Sequence, residues 1–198
     1  DAWAPIPSMN ITFIGDGNMA TALAGGLAAK GFAARSMKVV EVLAEARKRL
    51  TDSLGVVTFE TPAQAAPYGD VVVLAVKPQQ MREAAHAVAP HLKDELVLSI
   101  AAGIRLADVG RWLGGYPRLA RCMPNTPALI GLGVTGLYAR PEVAPAQRQH
   151  AQVVLEAVGE VIWVDDEAML DPVTAVSASG PAYVFYLIEA LERAGREV

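Results

Sequence analysis

The sequence predicts an α/β protein built on a doubly wound, mostly parallel sheet, with a helical segment opening near its end. Three observations carry this. Short, mostly apolar runs of strand length alternate with stretches of helical periodicity, which suits parallel strands buried on both faces. The first such run leads directly into Gly-x-Gly-x-x-Ala and a helix. After Cys122 prolines and glycines break the pattern, and the final helical stretch is apolar on nearly every face.

The first strand is Ile11–Ile14, and the turn Gly15-Asp16-Gly17-Asn18-Met19-Ala20 follows it. Gly15 permits a tight turn, and Gly17, lacking Cβ, lets the backbone approach a phosphate. Ala20 is small enough for the helix to pack on the strand. The amides of Asn18, Met19 and Ala20 then face a diphosphate from a helix N-terminus, as dinucleotide binding requires. A glycine trio alone is weak; its place between strand and helix gives it weight. The helix Met19–Ala29 sets Met19, Ala22, Leu23, Gly26 and Leu27 on one face, and Lys30-Gly31 ends it. Further strands are expected at Met37–Glu41, Val56–Thr58, Val71–Val76, Leu96–Ile100 and Arg118–Cys122, with helices at Ala44–Leu50, Pro78–His91 and Leu106–Leu113. Beyond Cys122 come a strand at Val134–Ala139, a helix at Ala144–Val158 and a strand at Val161–Val164. Gly180-Pro181 opens the helix Ala182–Arg193, where the missing proline N–H costs nothing. Its Tyr183, Phe185, Tyr186, Leu187, Ile188 and Leu191 call for cover from a partner subunit or a larger helical domain.

The bulk numbers narrow the class. With 198 residues, 53% hydrophobic and 19% charged, the chain has a large core and room for one domain plus part of another. A net charge of −4 argues against a basic face for nucleic acid. No apolar run is long enough to span a bilayer. One cysteine excludes an internal disulfide and fits a reducing, cytoplasmic setting. Residues 1–8 read as a loose leader or expression remnant, with Met9 as the natural start. His86, His91 and His150 are scattered and lack the partners of a metal site, so no metal is expected. Cys122 reads as a buried strand residue rather than a nucleophile.

Five segments in order resemble the pyrroline-5-carboxylate reductase family: Phe13–Ala20, Ala75–Pro78, Ser99–Ile104, Arg121–Ala128 (Arg-Cys-Met-Pro-Asn-Thr-Pro-Ala) and Val176–Tyr183 (Val-Ser-Ala-Ser-Gly-Pro-Ala-Tyr). The last two are far more specific than the glycine loop. The resemblance implies a Rossmann-type domain over residues 9–170, then from 171 to 198 the start of an all-α C-terminal dimerisation domain. It implies reduction of 1-pyrroline-5-carboxylate to L-proline by hydride from NADPH or NADH, in a homo-oligomer (a dimer or a ring of dimers). Family members run on for roughly another seventy residues, the length a small helical domain needs, and that part grips the substrate carboxylate. A non-catalytic dinucleotide-binding fragment is therefore one alternative. A β-hydroxyacid dehydrogenase relative is another, weakened because the last helix lacks a lysine.

Site residues follow from strand ends, beyond which ligands of open α/β sheets bind. By resemblance, the backbone of Ala75, Val76, Lys77 and Pro78 lies along the ribose and nicotinamide side of the cofactor. Lys77 is a proton donor or an anion contact, or simply a solvated lysine at a strand end, and a positional role is favoured over acid catalysis. Ala101, Ala102 and Gly103 leave room for a nicotinamide ring, or simply make a tight turn. Asn125 either bonds the nicotinamide carboxamide or caps the next segment. Glu41, 26 positions after Gly15, suits ribose hydroxyls and repels a 2′-phosphate, which favours NADH; family habit favours NADPH. Arg47 is either a phosphate contact or solvated surface. By resemblance, Ser177 and Ser179 lie at the substrate cleft, and Ser179 also reads as an N-cap. No residue is assigned as the catalytic acid.

Overall fold

Val71–Leu74 are four consecutive apolar residues with no measurable exposure, the condition of a strand covered on both faces. They form the centre of a sheet in a computed structural model that describes residues 9–197. The leader expected over residues 1–8 lies outside the described residues. In chain order the first half comprises β1 (Ile11–Ile14), α1 (Asn18–Ala29), β2 (Met37–Val40), α2 (Ala44–Leu54), β3 (Val57–Phe59), α3 (Pro62–Ala65), β4 (Val71–Leu74) and α4 (Met81–Val88). There follow β5 (Leu96–Ser99), α5 (Leu106–Trp112), β6 (Leu119–Met123), β7 (Gly133–Ala139), α6 (Pro145–Glu156), β8 (Gly159–Trp163), α7 (Leu170–Val173) and α8 (Gly180–Glu197).

The strands lie in the order β3-β2-β1-β4-β5-β6-β7-β8. Pairings through β6 are parallel, β7 runs antiparallel to β6, and β8 is parallel to β7. The chain's direction of travel across the sheet reverses between β1 and β4, which makes their carboxyl ends the switch point where ligands bind. Side-chain alternation divides the core into two layers. Phe13, Val71 and Leu98 pack with Leu23 and Leu27 of α1 and Val154 of α6. Ile14, Val72 and Val97 pack with Met81, Ala85 and Val88 of α4 and Val109 of α5. α1 sits so close to the turn after α6 that a Cβ on Gly26 would stand 2.4 Å from the Ala157 carbonyl oxygen.

Several boundaries differ from the sequence expectation. β2 ends at Val40 and β4 at Leu74, so Glu41, Ala75 and Val76 lie beyond their strands. The helix expected over Pro78–His91 is α4 flanked by 3-10 turns at Pro78–Gln80 and Ala89–His91, because Pro90 has no N–H to continue an α-helix. α2 runs on to Leu54 and stops at Gly55, whose φ of 67° lets its amide reach the Thr51 carbonyl. The short helices α3 and α7 were not expected. α7 and α8 are joined by one π-helical turn, Thr174–Ala178, in which the Ser179 amide donates to the Thr174 carbonyl. α7 lies on β7: a Cβ on Gly136 would meet Leu170 and Val173 at 3.1 Å. α8 is uncovered, with Phe185 67% and Tyr186 76% exposed. Among the described residues no helix is long and apolar enough to cross a membrane.

Candidate functional site

The switch point is built by two strand ends in close contact. Gly15 has φ of 101°, its amide donates to the Val40 carbonyl, and an added Cβ would stand 2.9 Å from the Ala75 carbonyl oxygen. Only glycine fits there. Gly17 is the N-cap of α1 and offers no side-chain acceptor, so the amides of the first turn stay open toward the crevice. A Cβ on Gly17 would meet Ala75 O at 3.5 Å, an ordinary contact. The protein itself leaves room there, and that room is what a diphosphate lying against bare backbone needs. Asp16 O accepts from the Thr21 hydroxyl, which ties the loop to α1. Ala20 is buried under the loop. The residues present therefore fit a dinucleotide.

At the neighbouring strand end, Glu41 accepts from the Leu43 amide at 2.8 Å. Burial raises the Glu41 pKa, and the hydrogen-bonded Asp16 carboxyl raises it further. Two acids thus stand together at the end of β2; the sequence singled out one. Arg47 matches neither expected reading. Its Nη1 donates to the carbonyls of Glu41 and Val42, so it pins this loop from beneath. Asp16, Asn18 and Thr21 line a cavity of about 660 Å³ with Arg49 and Asp52 of α2.

The remaining strand ends carry the other expected residues. Ala75 donates its amide to Ile14 O at 2.9 Å, and Lys77 is exposed at the start of the 3-10 turn. Ala101 is buried, Ala102 and Gly103 face outward, and Gly103 has φ of 73° with open space where a Cβ would be. The Asn125 side chain does not cap the turn that follows it. Its Oδ1 accepts from the Val134 amide at 2.9 Å, and its Nδ2 donates to the Ser177 hydroxyl at 3.1 Å. Ser177 is thereby brought to the end of β6. Ser179 is not an N-cap: its hydroxyl donates back to the Thr174 carbonyl at 3.2 Å, because the helix is continuous through this point. Cys122 is fully buried, and burial pushes its thiol far above the usual range against a smaller opposing effect from Arg121. It cannot serve as a nucleophile. No group of three or more His, Cys, Asp or Glu among the described residues is placed to hold a metal.

Two buried charged residues escaped the sequence reading, Glu95 at 5% exposure and Arg121. Arg121, inside the apolar strand β6, is 2% exposed and pairs with Glu167 at 3.2 Å. An arginine amid Leu119, Ala120, Cys122 and Met123 was the signal available.

Most of the chain is similar to known proteins. Residues 10–103 match the family model described as NADP oxidoreductase coenzyme F420-dependent, and residues 167–198 match pyrroline-5-carboxylate reductase dimerisation. The chain is 48% identical over 189 residues to the pyrroline-5-carboxylate reductase of Pseudomonas aeruginosa, covering 95% of this chain and 69% of that protein. Among solved structures, a pyrroline-5-carboxylate reductase from Coxiella burnetii matches with a TM-score of 0.90 at 38% identity, over 96% of this chain and 72% of that one. A Plasmodium falciparum pyrroline carboxylate reductase with NADP bound matches with a TM-score of 0.85 at 25% identity, over 98% and 71%.

Proposed function

The chain belongs to the pyrroline-5-carboxylate reductase family, and from that premise we propose how its residues divide the work. It is an NAD(P)H-dependent oxidoreductase that reduces 1-pyrroline-5-carboxylate to L-proline, the last step of proline biosynthesis. The observation that carries this is the 48% identity, which runs through 95% of the chain. Neither the hydroxyacid dehydrogenase nor the non-catalytic fragment is favoured.

When bound, the nicotinamide cofactor supplies the hydride. The turn Gly15–Ala20 binds its diphosphate through the open amides of α1. Glu41, with Asp16 beside it, receives the adenosine ribose. The backbone of Ala75–Pro78 lies along the dinucleotide, with Lys77 in a positional role that its exposure supports. Ala101, Ala102 and Gly103 leave space for the nicotinamide and exclude bulk from its face. Asn125 acts through Ser177, holding the start of the helical part against the end of β6. Ser177 and Ser179 border the substrate cleft. A protonated imine carbon is already electrophilic, so the chain's task is orientation and exclusion of water rather than covalent chemistry.

The domain boundary falls at 170/171, inside α7, the last helix to pack on β7. α8 buries its apolar surface in a subunit interface, and the matched dimerisation segment supports assembly through this part, as a dimer or a ring of dimers. The setting is cytoplasmic. The test is loss of NADPH or NADH absorbance on addition of 1-pyrroline-5-carboxylate, with the product identified as proline by mass. Cofactor oxidation with a hydroxyacid-derived ketone instead would refute the substrate assignment.

A further inference from the structure

We propose that Arg121 is a positioning residue for hydride transfer, acting through a clamp of two acids that sets the helical connector against the strand ends. This rests on the reductase reading above. The guanidinium is 2% exposed on β6 and faces two carboxylates from the connector: Glu167 Oε1 lies 3.2 Å from Nη1, and Asp171 Oδ1 lies 3.7 Å from Nη2. Its Nε has no hydrogen-bond partner among the described residues. The two acids therefore dictate where the group sits, and a buried cation deprived of them would be costly.

The clamp reaches both loops that flank the nicotinamide end. Glu167 Oε1 also accepts the Leu106 amide at 2.7 Å, capping α5 from sixty-one residues away where Arg105 provides no cap. α5 begins directly after the Ala101–Ile104 turn, so one carboxylate fixes that turn and β6 together. Asp171 Oδ2 lies 3.8 Å from Arg105, which adds a second tie to the same turn. Six residues on, Ser177 takes the Asn125 hydrogen bond at the end of β6. The fold delivers the acids by a short route. Trp163 of β8 stands level with Leu137 of β7 and so with Cys122 of β6, which leaves only residues 164–166 to bring Glu167 over Arg121.

Loosening this clamp shifts the substrate side relative to the hydride carrier while the diphosphate turn stays as it is. The experiment compares wild type, R121M, R121K and D171N by imine-reduction kinetics, NADPH fluorescence titration and hydrogen exchange of the NADPH-bound protein. R121M is expected to lower kcat about 100-fold, the cost of a misplacement of the order of 1 Å. R121K recovers to within about tenfold of wild type, since an ammonium pairs with one acid but cannot fork across two. The Kd for NADPH changes by less than about threefold in all variants, because the diphosphate turn shares no partner with the clamp. Exchange rises over residues 101–106 and 174–179 and stays constant over 15–20. An unchanged kcat in folded R121M, R121K no better than R121M, or a loss of NADPH affinity matching the loss of kcat would each overturn the proposal. If R121M does not fold, D171N decides: it alters the half-exposed end of the clamp, and an unchanged kcat there overturns it equally. Absence of turnover in the wild type would refute the reductase reading, while the exchange contrast still tests the clamp.

Discussion

At Gly15 an added Cβ would stand 2.9 Å from the Ala75 carbonyl oxygen with φ at 101°, whereas at Gly17 it would stand 3.5 Å away with φ at −52°. The first glycine is therefore required by the protein's own packing, whereas the second is not. Gly15→Ala is expected to cost about 1–3 kcal/mol of stability through backbone strain, seen as a lower thermal midpoint. Gly17→Val should keep the midpoint of the free protein near that of wild type while raising the NADPH Kd well over tenfold by fluorescence titration, since a branched side chain takes the phosphate space. Glu41 has its own signature. Its folded pKa is raised above 4.5, first by burial and then by Asp16. The folded state thus holds the proton more tightly than the unfolded chain, so the stabilisation is full below 4.5 and is lost as pH rises through the folded value. Asp16→Asn should flatten the fall in thermal midpoint over the mildly acidic range just above 4.5. Glu41→Gln should move the NADPH/NADH ratio of kcat/KM toward NADPH by about tenfold, the worth of one pKa unit of charge interaction.

α8 displays Phe185 at 67% and Tyr186 at 76% exposure, with Leu187 at 58% and Leu191 at 64% on the same uncovered helix. Each large side chain gains about 1.5–3 kcal/mol when fully buried, so such a surface has a strong drive to associate. Leu187→Glu with Leu191→Glu should shift the protein toward smaller species in sedimentation velocity, without change in NADPH affinity. Elements of this kind were legible in the sequence because their signals are local. Short, mostly apolar runs marked β1, β4 and β5, and Gly15 and Gly17 between a strand and a helix marked the crevice. What could not be read depends on partners far along the chain. Asn125 is used by Val134 and Ser177, Glu167 by Leu106 and Arg121, and no spacing rule links such pairs. By its place in the sequence Arg47 is either a phosphate contact or solvated surface, yet two backbone carbonyls hold it. Ser179 looked like a cap because Gly180-Pro181 follows it, a local sign overridden by the π-helical turn before it.

Across the whole molecule, the crevice between β1 and β4 joins the two halves of the sheet, so a ligand seated there restrains both. Saturation with NADPH at 100 times its Kd should add about 2.7 kcal/mol of stability. At this chain length each kcal/mol moves the thermal midpoint by about 2–4 °C, which a melting curve with and without the cofactor resolves. Gly17→Val should abolish most of that shift. The π-helical turn Thr174–Ala178 bears on the molecule's outward form in another way. An α-helix advances about 100° per residue, so a wide turn that absorbs one additional residue keeps everything downstream on the azimuth that the addition would otherwise shift. Deleting a single position there would close the turn to an ordinary α-helix and leave the greasy side of α8 facing much as before, whereas adding one just beyond it would swing that side by roughly a quarter revolution and present mismatched flanks to any second copy.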